Sequence, residues 1–204
     1  MLFRSTARAQ NAAVPVRPEH ENMVTAMNPA QRQAFRELSE GDRQNYAQLH
    51  DQFAHLPEDA TRKATVAGLA ALLERGVLQR RTNSGRASDV APTVLQVLAS
   101  RSQASTLAPG LKEQGLSAAG QLANIVNHIA YPDKVFQGEG TNTCVVASLQ
   151  TLMAQQDPVE YVRLATGLVW EGRVRLHNDE VLHLDTRHLE DPVRGRSSTD
   201  SLLQ

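Results

Sequence analysis

Apolar residues recur at helical spacing through most of the chain, and the pattern turns to alternation only near residue 173. Asn28-Pro29 supplies a cap and a first-turn proline, and Phe35, Leu38, Tyr46, Leu49, Phe53 and Leu56 then mark amphipathic faces. The polar stretch Ser39-Glu40-Gly41-Asp42 predicts a join between two helices. Beyond Pro57, Val66, Leu69, Leu72 and Leu73 predict a third helix running as far as Leu78. Residues 29–80 therefore read as a helical unit. Residues 1–28, small and polar and broken by Pro15 and Pro18, read as a disordered N-terminal segment. The Arg-, Ser- and Gly-rich residues 81–92 read as a linker.

Two short helices are expected next, at 92–101 and 117–130. The second carries Leu122, Ile125, Val126 and Ile129 on one stripe and is stopped by Pro132. A glycine-bearing loop at 132–143 leads into a helix at 144–156, and Asp157-Pro158 opens another that bears Tyr161, Val162, Leu164 and Leu168. From Arg173 to Leu184 alternation predicts a β-hairpin with Asn178-Asp179 at its tip. Ser197-Ser198-Thr199-Asp200 reads as the cap of a helix that Gln204 cuts short, so the chain reads as a piece whose parent continues. The expected fold class is α+β and mostly helical, with the helical unit ahead of a core at 93–204.

Composition narrows the function. Hydrophobic residues make up 41% and aromatic ones 4% of the 204 residues, a balance that favours helices over a β-sandwich. A net charge of −1 argues against nucleic acid as a partner. No apolar run reaches the roughly 20 residues that span a bilayer. The first 18 residues carry Arg4, Arg8 and Arg17 but no apolar stretch of a secretory signal. The localisation expected is cytoplasmic, or exported without a signal peptide by a specialised machine with its chaperone. Gly138-x-Gly140 lacks the third glycine of a dinucleotide fingerprint and no Gly-Lys-Ser/Thr occurs, so no cofactor is implied. The single cysteine excludes an internal disulfide and a multi-cysteine zinc site, and no metal is expected.

That cysteine, Cys144, falls at the predicted start of a helix, behind Phe136-Gln137-Gly138-Glu139-Gly140-Thr141-Asn142-Thr143. Unbonded N–H groups and the helix dipole favour a thiolate at such a position. A lowered thiol pKa is what a cysteine nucleophile needs, and the same N–H groups suit an oxyanion. The segment resembles the active-site cysteine region of papain-like cysteine peptidases, which carry a Gln-Gly turn ahead of a helix rich in small and apolar residues. The resemblance covers about 15 residues, with Gln137 seven positions before Cys144 and Val145 where that family often has an aromatic. It implies a papain-like core with Cys144 as nucleophile and Gln137 as the oxyanion-hole amide. The longer stretch from Tyr131-Pro132 to Gly167-Leu168 is similar to a bacterial domain of this fold found in large effector-like proteins.

A thiol nucleophile needs a base, normally a histidine with an orienting partner. In papain-like folds it lies on a strand facing the cysteine helix. His183, on the second arm of the predicted hairpin, and His188, in a polar run with Asp185 and Asp191, are the candidates, as is a histidine beyond the chain. His177 lies beside the turn, and His128 reads as a cation suited to its own helix C-terminus. The expected activity is that of a thiol hydrolase acting on protein or peptide, as a peptidase or a deamidase/acyltransferase-type effector. The alternatives are a non-catalytic helical interaction module with a structural cysteine, and an inactive papain-like fragment kept for binding.

Overall fold

The computed structural model describes residues 20–82, 91–104, 106–111, 113–135 and 144–184, with backbone alone for Cys144 to Val146. The described chain is mostly helical and carries one small antiparallel sheet. Its elements in order are α1 (Glu21–Ala26), α2 (Pro29–Glu37), α3 (Glu40–Ala54), α4 (Asp59–Glu74), α5 (Val94–Gln103), α6 (Ala118–Ala130), α7 (Cys144–Gln156), α8 (Pro158–Thr166), β1 (Arg173–Arg175) and β2 (Val181–His183). A 3₁₀ turn at Pro132–Lys134 follows α6, and a π-helical turn at Gly167–Glu171 follows α8.

The starts of α2, α3, α5, α6 and α8 lie where side-chain oxygens receive the unbonded N–H groups of a first turn. Asn28 Oδ1 accepts from the Gln31 N–H at 2.8 Å while Gln31 Oε1 accepts from the Asn28 N–H at 3.0 Å. Thr93 and Gln96 repeat this reciprocal cap on α5. Ser39 caps α3, Ser117 caps α6 and Asp157 caps α8. The hairpin closes with Asn178-Asp179 at its tip, Asp179 taking a positive φ of 66°.

One hydrophobic core runs from Val24 to Trp170. The helices before residue 81 and those after residue 93 therefore bury their apolar stripes against each other. The closest approach is α4 on α6, where Gly68 lies so near α6 that a Cβ there would stand 3.1 Å from Ala130 Cβ. Asn127 Nδ2 donates to Thr65 Oγ1 at 3.0 Å across the same contact. The ends of the 81–92 stretch are tied together: Thr82 N–H donates to Pro92 O at 2.8 Å and Val94 N–H to Arg80 O at 2.9 Å.

Two boundaries differ from the sequence reading. The N-terminal segment expected to be disordered through residue 28 holds α1, because Val24 and Met27 find cover on the core cluster. The third helix ends at Glu74 rather than Leu78, since Gly76 takes a φ of 67° and Val77 and Leu78 turn inward beyond it. The expected helix near residue 197 lies outside the described residues.

Candidate functional site

α7 begins at Cys144, so this residue occupies the first turn of a helix, as the pattern predicted. The helix lies against α8, α6 and the Pro132–Lys134 turn. Its buried row of Ala147, Gln150 and Ala154 faces inward, with position 144 one turn ahead of Ala147. Gln137 and His188 lie outside the described residues, and for Cys144 the helix position is what the structure gives.

Against the middle of α7 the structure assembles a buried polar set from three helices. His128 Nδ1 and Tyr161 Oη stand 2.6 Å apart, and Gln150 Nε2 donates to the same oxygen at 3.2 Å. All three side chains are buried. The imidazole and phenol rings meet edge to face, with centroids 6.0 Å apart and planes at 69°. An amide N–H only donates, so Tyr161 Oη accepts from Gln150, and the hydrogen between Tyr161 Oη and His128 Nδ1 belongs to whichever of the two donates. Gln150 lies six residues after Cys144, about 9 Å along the helix axis at 1.5 Å per residue.

His128 lies in the last turn of α6, where its place in the sequence put it, and its side chain is buried. It is turned into the junction of α6, α7 and α8. No local signal marks the set, because its members are far apart in sequence and tertiary packing alone brings them together. The one readable hint was Tyr161 on an apolar stripe, a residue whose hydroxyl needs a partner when buried.

The hairpin divides the neighbourhood into two faces. Val174 pairs with Leu182, while Arg173 pairs with His183 and Arg175 with Val181. Side chains alternate along a strand, so Leu182 lies on one face and Arg173, Arg175 and His183 on the other. Leu182 joins Leu149, Gln150, Met153, Tyr161 and Leu164 around a cleft of 160 Å³ beside α7. Leu149 and Leu182 are 57% and 43% exposed, which makes the rim of this cleft apolar. His183 is exposed on the opposite face of the strand. A larger cleft, rich in arginine, is bounded by α5, α8 and β1.

Glu160 anchors α8 to the hairpin. Its carboxylate takes Arg163 Nε at 2.7 Å and Arg163 Nη2 at 2.6 Å, with His177 Nε2 3.4 Å away. The Glu160 side chain is 14% exposed. The Arg163 hydrogen bonds, with further help from His177, hold its carboxyl below the usual glutamate range. A depressed carboxyl pKa stabilises the fold at every pH above the unfolded-state value, and that stability is lost as pH falls through the folded value. Glu160→Gln is therefore expected to cost about 1 kcal/mol at neutral pH, allowing for solvent screening, and to cost nothing in acid. Urea midpoints of the two proteins, compared at neutral pH and at about pH 3, check this convergence.

Among the described residues no helix is long and apolar enough to cross a membrane. No protein-family model, curated protein or solved structure matches the chain.

Proposed function

We propose that the chain is a papain-like thiol hydrolase, a peptidase or a deamidase/acyltransferase-type effector, with Cys144 as its nucleophile. The observation that carries this reading is the start of α7 at Cys144. A thiol there meets the unbonded N–H groups of a first helical turn, which stabilise the thiolate over the thiol. The thiolate attacks a substrate carbonyl carbon, and the tetrahedral oxyanion is received by the Cys144 N–H and the Gln137 side-chain amide. An imidazole returns a proton to the leaving amine, and water or an acceptor amine resolves the acyl-enzyme. The candidates for that imidazole are His183 and His188 after the cysteine, to which the fold adds His128, buried beside α7 with Tyr161 in the orienting position. The apolar cleft beside α7 provides a place for an apolar side chain of the protein or peptide substrate.

A second reading, a helical interaction module with a structural cysteine, draws on a different observation. The exposed Leu149 and Leu182 form an apolar rim suited to docking as much as to turnover.

Iodoacetamide separates the two. The hydrolase reading expects rapid labelling at a single site in the folded chain at neutral pH, absent in Cys144→Ala. Labelling that appears only after denaturation supports the interaction module instead.

A further inference from the structure

We infer that the cleft between α5, α8 and the hairpin binds a small ligand through a phosphate group. This cleft shares no lining residue with the apolar cleft beside α7, so it stands independently of the chemistry proposed for Cys144.

Four arginines from three elements line it: Arg101 on α5, Arg163 on α8, and Arg173 and Arg175 on β1. The volume of 520 Å³ falls within the range typical of small-molecule sites. Two of the arginines already hold carboxylates, Arg101 with Glu171 and Arg163 with Glu160. The Arg173 side chain makes no ion pair or hydrogen bond among the described residues. Arg175 reaches only Asp179 at the exposed tip, at 3.4 Å, a contact of little energetic weight. Glu171, Glu160 and Asp179 are paired with three of the four arginines, so Arg173 alone has no counter-ion among the described residues. A phosphomonoester at neutral pH carries about two negative charges, and its tetrahedral oxygens suit the planar forks of arginine.

The local backbone holds these groups at fixed spacing. The Gly167–Glu171 segment lining the cleft is a π-helical turn, a rare conformation that recurs at functional sites. The hairpin folds so tightly onto this turn that a Cβ on Gly167 would stand 2.9 Å from Val174 Cγ2. Gly172 then turns the chain with a φ of 69°, and Leu184 N–H clasps Gly172 O at 2.9 Å. Arg173 and Arg175, two positions apart on one strand, therefore face the cleft side by side. Arg163 Nη1 donates to Arg175 O at 2.8 Å, which joins α8 to the same wall. On this geometry Glu171 acts as an internal counter-ion that an incoming phosphate displaces from Arg101.

Calorimetric titration of the full chain with inorganic pyrophosphate tests the site, with sodium chloride at matched ionic strength and disodium succinate as comparisons. Saturable binding of pyrophosphate is expected, with none for chloride and weaker binding of succinate. The paired substitution Arg173→Ala and Arg175→Ala, on exposed positions, is expected to weaken binding about tenfold or more. Glu171→Gln is expected to tighten it several-fold, a gain that damage to the fold does not produce. Arg36→Ala, on a distant exposed helix face, is expected to leave it unchanged. Absence of saturable binding, binding indifferent to the arginine pair, or succinate binding as tightly as pyrophosphate overturns the assignment.

Discussion

Leu72→Ala is expected to lower the unfolding free energy by about 2–5 kcal/mol, the range for truncating a fully buried leucine that leaves a cavity. Leu72 is buried without residual exposure on α4, in the core cluster that also contains Trp170. The side chains that would have to close the gap come from helices on both sides of the 81–92 stretch, which limits relaxation. Trp170 is the chain's one tryptophan, and it reports from beyond α8. Its fluorescence and the helical circular dichroism are expected to move to the same lower urea midpoint in Leu72→Ala. A Trp170 transition that stays in place while helical signal is lost would mean that residues 29–80 unfold as a body of their own. Exposed Leu152→Ala serves as the comparison, with a change expected within about 0.5 kcal/mol.

Tyr161→Phe removes one oxygen and nothing else, yet it is expected to cost about 1–3 kcal/mol. The phenol oxygen is the shared partner of His128 Nδ1 and Gln150 Nε2, and all three groups are buried. Without it an imidazole nitrogen and an amide N–H each lose a buried hydrogen-bond partner. The cost is expected to shrink when His128→Leu is added, since removing both partners of a buried hydrogen bond is milder than removing one. A double-mutant cycle from chemical denaturation measures that coupling directly. A Tyr161→Phe protein as stable as the parent, or costs that simply add, would show that the set contributes no coupled stability.

Much of the helical layout was legible because the signals are local. Asn28-Pro29, Ser39 and Asp157-Pro158 cap helices where their side chains predict, and Asn178-Asp179 turns the hairpin. The start of α7 at Cys144 belongs to the same class. α1 escaped notice because its burial rests on Val24 and Met27 meeting the core, which no six-residue pattern announces. The candidate site was legible only at Cys144. The His128–Tyr161–Gln150 set depends on how α6, α7 and α8 cross, and the arginine cleft depends on which strand face β1 turns outward. His183 shows the same limit: alternation predicts a strand there, while the direction of its side chain follows from the register with Arg173. The π-helical turn had no signature either, as Gly167 reads like an ordinary helix stop until Val174 is seen against it.

The nucleophile assignment rests on the state of a single sulfur, and the pH dependence of its alkylation in the folded chain reads that state directly. A thiolate held by the first turn of α7 gives a rate of iodoacetamide labelling that titrates below the ordinary cysteine value of about 8.5 and vanishes in Cys144→Ala. A rate that titrates at or above that value, or a thiol that reacts only once the chain is unfolded, would contradict it.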